Sequence, residues 1–251
     1  MEKLSLVRRR IEELVDENYV HAYVLHYFGI KFYDYSEHTL EEVCKERGLL
    51  LEHVVKEMES PLYLKELDIP LVSFPLDLIL AYLKHSHYLY LKYKLPYIVS
   101  LVDNFKPFHP EYHSIAKDLK IVFPLFVEDF IQHIHQEEDT LFTYIKILDQ
   151  ALKEPLNPSK LYYHFEKNSI QKFAMEHEVH DDEMKGIRLI THQYRTNPGT
   201  PLHVKVIYNE LMEFESSLHA HATIENEILF PKALALENQV KTLFFKNGQW
   251  N

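Results

Sequence analysis

The chain contains a single cysteine, Cys44. That excludes an internal disulfide, and also a thiolate-cage zinc site or an iron–sulfur cluster held by this chain alone. Glycine is scarce, at 5 of 251 residues, with 12 prolines, so few positions need a positive φ and the composition is that of a helical protein. Acids and bases are mixed along a chain of net charge −11, and even Arg8-Arg9-Arg10 is followed closely by Glu12-Glu13. This points away from nucleic acid and from an anionic membrane surface. No apolar run is long enough to span a bilayer, since the stretch from Phe74 to Leu83 carries Asp77 and is too short. The first residues, Met1-Glu2-Lys3 through Glu13, lack the apolar centre of a signal peptide. A soluble cytoplasmic protein with a sizeable core is the expectation.

Histidine is abundant, at 17 residues, and its placement carries more information than its number. Two stretches 88 residues apart share the pattern His-x-x-x-Glu-x-x-x-Leu-Phe: His133 and Glu137 followed by Leu141-Phe142, and His221 and Glu225 followed by Leu229-Phe230. Positions i and i+4 share a helix face, so each copy aims one imidazole and one carboxylate at a common point. Read as a pair of exposed His–Glu contacts, each copy would be worth only about 0.2–0.5 kcal/mol. That reading leaves the shared Leu-Phe continuation unexplained.

The chain divides by its punctuation. Up to about Glu66 it reads as several short helices, with Thr39 and Glu42 forming a capping box and Gly48 closing the helix they open. Glu66 to Pro75 reads as a linker. Four long helical stretches follow: about Leu76 to Asn104, Glu111 to Leu152 with a kink expected at Pro124, Asn157 to Arg195, and Thr200 to Leu236. The tail from Asn238 reads as peripheral. Short connections between long helices imply an all-α antiparallel four-helix bundle, residues 69–251, behind a small helical N-terminal domain, residues 1–68.

If the bundle is two related hairpins, the first and third stretches should supply equivalent residues. His87 lies 46 positions before His133, and His177 lies 44 before His221. This selects His87 and His177, with His85 and His180 as their substitutes. The expected metal ligands are therefore His87, His133, Glu137, His177, His221 and Glu225, a set that suits two metal ions with the carboxylates bridging. Four imidazoles with two carboxylates favour iron, and manganese or zinc also match the donors. The spacing differs from the Glu-x-x-His of ferritin-like bundles, and His-Glu-x-x-His is missing, which argues against a zinc peptidase. Glu138 and Asn226 are candidates to orient the imidazoles. His135 and His219 stand two residues from a ligand and should face outward. Among Tyr88, Tyr90 and Tyr93, expected chiefly to pack, one could reach a bound ligand.

On these residues the chain resembles the Repair of Iron Centres family, hemerythrin-like di-iron proteins tied to nitric oxide and oxidative stress in bacteria. The stretch from His221 to Pro231 is similar to that family's last ligand helix, and His133 to Phe142 to its second. Glu176-His177, followed by Ile187 to Thr191, fits the third, and His87 the first. The resemblance implies a bridged non-haem di-iron centre with these six ligands and NO or O₂ as small ligand. It also implies iron–sulfur proteins as partners, with a homodimer as one assembly it allows. Phe28 to Phe32 and Thr39 to Cys44 match the outline of the family's N-terminal domain. Where that domain carries Cys-Cys-Gly-Gly, this chain has Tyr33-Asp34-Tyr35-Ser36, so thiol chemistry does not carry over. The expected function is protection or repair of iron–sulfur centres. The rivals are a hemerythrin-like O₂ or NO sensor or carrier without turnover, and a metal-free scaffold.

Overall fold

The computed structural model describes residues 6–59, 71–107, 109–154, 157–179 and 182–248. The protein is all-α: among the described residues there is no strand, and one isolated bridge joins Arg10 to Thr39. None of the described helices is long and apolar enough to cross a membrane. Contacts divide the chain into two units. One comprises residues 1–68, 97–120 and 190–212, and the other 69–96, 121–189 and 213–251. Residues 1–68 thus fall in one unit together with two stretches of the long helices.

The first unit contains four short helices: α1 (Ile11–Glu17), α2 (Val20–Tyr27), α3 (Leu40–Arg47) and α4 (Leu51–Glu59). The capping box at the start of α3 is complete. Glu42 N–H donates to Thr39 Oγ1 at 3.3 Å, and Thr39 N–H donates to Glu42 Oε2 at 2.8 Å. Gly48 closes α3 with φ 66°, a left-handed conformation that glycine adopts without strain. Ile11, Leu14, Leu25, Ile30, Leu40, Val43 and Val54 are buried here, as is Cys44, whose thiol is pushed up by burial. Its burial makes Cys44 a small core residue rather than a reactive thiol.

The long stretches resolve into α5 (Leu76–Leu89), α6 (Leu95–Asp103), α7 (His113–Glu137), α8 (Thr143–Lys153), α9 (Pro158–Lys167), α10 (Ile170–Val179), α11 (Lys185–Ile190), α12 (Leu202–Ile224) and α13 (Phe230–Gly248). α7 continues through Pro124. The second unit holds parts of all four stretches, with a core that includes Leu80, Leu83, Leu141, Phe142, Tyr144, Ile145, Leu229 and Phe230.

Three wide π-type turns, Tyr90–Lys94, Glu138–Phe142 and Glu225–Leu229, are built into otherwise continuous helices. They account for the Leu-Phe pairs. At about 100° per residue, the Leu eight positions after each His would stand about 80° from it on a regular helix, and the Phe about 180°. One extra residue in the turn rotates both back by about 100°, so Leu comes near the His–Glu face and Phe follows about 80° on. Leu141, Phe142, Leu229 and Phe230 are accordingly all buried.

Two expectations are corrected. The third stretch is not one helix. Asn157 caps α9 by accepting from Ser159 N–H at 2.9 Å, but Asn168 turns extended (φ −128°, ψ 148°) and Ser169 starts α10 afresh. Asn and Ser both bond locally to backbone in ways that compete with a helix interior. The stretch ends in three consecutive left-handed residues, His192, Gln193 and Tyr194, with φ of 52°, 62° and 56°. The fourth stretch runs on to Gly248 rather than ending near Leu236. Val240 and Glu237 are buried, and Phe244 packs against the core with its ring 5.6 Å from that of Phe165. The glycine-poor sequence offers no stop before that point. Residues 66–70, part of the expected linker, lie outside the described residues.

Candidate metal centre

Four helical stretches of the second unit bring ionisable side chains toward one locus, most of them buried. α5 supplies His87, α7 supplies His133 and Glu137, α10 supplies His177, α12 supplies His221, and the π turn that follows α12 supplies Glu225. His87, Glu137, His221 and Glu225 are all buried, and each offers a donor atom within 4.8 Å of the others. The two Nε2 atoms of His87 and His221 lie 3.1 Å apart, and His87 Nε2 is 3.4 Å from Glu137 Oε2. Glu225 presents one oxygen to each of two imidazoles: Oε1 is 3.0 Å from His221 Nε2, and Oε2 is 2.9 Å from His177 Nε2. His133 stands further out. Its side chain is 30% exposed, its Nδ1 is 3.8 Å from Glu183 Oε1, and its ring centroid is 5.9 Å from that of His177.

Apolar side chains close the locus on two sides. Phe142 stacks on His87 at 5.8 Å between ring centroids, and Phe230 meets His177 edge-on at 5.5 Å. On the other side, Tyr90 lies 5.8 Å from His221 and packs against Phe130 and Phe214. The Tyr90 hydroxyl is used within the protein, donating to the Ser217 carbonyl at 3.1 Å. Tyr88 is exposed.

The electrostatics are those of a cation site. Neither oxygen of Glu137 accepts a hydrogen bond, although both are buried. Burial, and then the neighbouring Glu225, push the Glu137 carboxyl well above its ordinary range. Burial would also raise Glu225, but His221, His177 and a proton shared from Glu137 outweigh it and hold Glu225 well below that range. The acidities of the two carboxyls are thus pushed apart, as those of close carboxylates are. His87 is pushed down to about 4, first by burial and then by His221. A buried carboxylate without donors costs several kcal/mol, and a divalent cation among these oxygens and imidazole nitrogens offsets that cost. The residues present fit such an ion, and nitrogen with carboxylate oxygen is a donor set that iron, manganese and zinc accept.

The other histidines sort by face. His85 is exposed beside Tyr88, at 6.3 Å between ring centroids, while His87 two residues on is buried. His135 and His219 are exposed, and His113 is exposed and bonded to the Pro107 carbonyl at 2.9 Å. His180, the substitute considered for His177, lies outside the described residues. Glu138 does orient an imidazole: His87 Nδ1–H donates to its Oε1 at 2.9 Å. Consecutive carboxylates, Glu137 and Glu138, thus meet the two nitrogens of one ring. Glu183 beside His133 and Lys84 beside Glu138, at 2.7 Å, escaped the sequence reading. No spacing rule connects Glu183 with His133, but Lys84 stands one helical turn before His87.

Residues 101–233 match the model of the hemerythrin HHE cation binding domain, a span that includes His133, Glu137, His177, His221 and Glu225 and leaves His87 upstream. Among curated proteins, the chain is similar to the iron-sulfur cluster repair protein YtfE of Escherichia coli O81 (strain ED1a) and to that of Escherichia fergusonii. Each is 26% identical over 145 residues, covering 57% of this chain and 60% of the relative. The chain thus spans about 60% of the length of these relatives. With the matched model covering more than half of its residues, this chain belongs to the hemerythrin HHE cation-binding family.

Proposed function

We propose that the chain holds two iron ions among His87, His133, Glu137, His177, His221 and Glu225, and that the loaded centre serves the protection or restoration of iron–sulfur proteins under nitrosative or oxidative stress. The observation that carries the reading is the pair of deeply buried carboxylates, one of them without any hydrogen-bond donor, facing imidazole nitrogens 2.9–3.4 Å away. The relatives' name, iron-sulfur cluster repair protein, supports the cellular role.

Bound ferrous iron would supply an electron-rich centre able to take a diatomic ligand such as NO or O₂. This chain's residues do the rest. Glu137 and Glu225 offset the positive charge, and Glu225 has an oxygen for each side of the centre. Glu138 keeps the proton of His87 on Nδ1, so that Nε2 presents its lone pair inward. Leu141, Phe142, Leu229 and Phe230 keep water out of the locus.

Metal content per chain of protein expressed in iron-replete cells, with the visible spectrum, tests this first. Two irons per chain are expected. No metal, even after anaerobic addition of ferrous iron, would overturn the reading and leave a helical scaffold. A second reading, a reversible sensor or carrier without turnover, is favoured by one observation: Tyr33-Asp34-Tyr35-Ser36 stands where the resembled family carries its cysteine pair. Restoration of a nitric-oxide-damaged iron–sulfur enzyme by the iron-loaded protein supports the first reading; reversible ligand binding without restoration supports the second.

A further inference from the structure

Behind His87, on the side away from the centre, stands a relay that reaches the surface. Its Nδ1–H donates to Glu138 Oε1 at 2.9 Å, and the other oxygen, Oε2, accepts from Lys84 Nζ at 2.7 Å. Exposure rises along it: the side chain of His87 is 3% exposed, that of Glu138 27% and that of Lys84 36%. The ammonium also lies 5.8 Å from the centroid of the Phe142 ring, the ring that stacks on His87. Lys84 is therefore held from two sides, by a carboxylate and by an aromatic face. Among the described residues nothing comparable backs His221, whose Nδ1 is buried without a hydrogen-bond partner there.

A partly exposed ion pair contributes little to folding, so stability is a poor account of this arrangement. A carboxylate on the outer nitrogen of a ligating imidazole fixes its tautomer and its ring orientation, and loss of such a partner weakens metal binding by about 10–100-fold. Glu138 can do this only while its side chain points inward, although it is partly solvated and free to turn toward water. Lys84 supplies the attraction that keeps it in place, because one residue binds the outer oxygen while the other oxygen stays on His87.

We propose that Lys84 is a positioning residue of the metal centre, acting through Glu138 to keep the Nε2 lone pair of His87 turned into the locus that it shares with Glu137 and His221. The proposal rests on the metal reading above, and the test separates the two. The probe is ferrous iron alone, titrated anaerobically against a competing chelator into the wild-type chain, Lys84→Met, Lys84→Arg, Glu138→Gln and the Lys84→Met/Glu138→Gln pair. Lys84→Met is expected to weaken binding about 10-fold, while Lys84→Arg, which keeps the charge, stays within about threefold of wild type. In the Glu138→Gln background, Lys84→Met is expected to add nothing, since the residue it acts through is already altered. Wild-type affinity in Lys84→Met overturns the proposal. So does an equal loss in both backgrounds, or a loss in Lys84→Arg as large as in Lys84→Met. Failure of the wild-type chain to bind ferrous iron would instead overturn the metal reading itself, and this proposal with it.

Discussion

Two imidazoles, one in each unit, are pushed down alike although His87 is buried and His203 half-buried, and their surroundings differ. His87 and His203 are both pushed from 6.5 down to about 4, in each case first by burial. His203 is satisfied within its own unit. Its Nε2–H donates to the Leu101 carbonyl at 3.2 Å, its ring stacks on Tyr33 at 4.6 Å, and Phe32 and Phe105 complete its surroundings. His87 instead turns Nε2 onto another imidazole nitrogen and a carboxylate that has no donor. A depressed pKa therefore marks burial, and burial alone does not mark a site. The distinguishing feature is a set of partners that leaves one another unsatisfied until a cation is added.

The strongest test of that contrast is Glu225→Ala. Glu225 faces both His177 and His221, so its removal is expected to take iron from two per chain to none; retention of two irons would break the ligand assignment. His203→Phe, by contrast, should leave iron content untouched. The two rings should still behave alike toward acid in the metal-free protein. Each has a folded-state pKa near 4, below its ordinary 6.5, so the unfolded chain takes up the proton first as pH falls. The stability that each ring contributes should therefore drop between about pH 6.5 and about pH 4 and level off below, at no more than about 1.4 kcal/mol per pH unit for each ring. Denaturant melts across that window should show a shallower dependence in His203→Phe; an unchanged slope would mean that His203 does not titrate as its burial implies. The smallest effect belongs to His219→Ala. This residue is exposed, and its loss is expected to change stability by no more than about 0.5 kcal/mol and iron content not at all. Loss of iron there would put the register of α12 in error.

Much of this was legible in sequence because helical periodicity is a local property. The i, i+4 spacing of His133 with Glu137 and of His221 with Glu225 put each pair on one face. Internal spacing favoured His87 over His85, and in the structure His87 is the buried one of the two. The capping box at Thr39 and the left-handed Gly48 are equally local. The adjacent Leu-Phe pairs carried a signal for the π turns, since both residues of each pair reach the core only when the helical register slips by one.

What only the tertiary structure decided depends on helices meeting. The sequence determined which faces carry imidazole and carboxylate, since backbone hydrogen bonds between near neighbours set the helical period. Which carboxylate backs which imidazole, as Glu138 does for His87, depends on packing between residues far apart in the chain. The same holds for Lys84 joining His87 through a residue 54 positions away. It holds too for α13, whose last turns bury Val240 and pack Phe244 on the core. Such partners are chosen by the removal of apolar surface from water and the need to satisfy whatever polar groups are buried with it, and no spacing along a single helix records that choice.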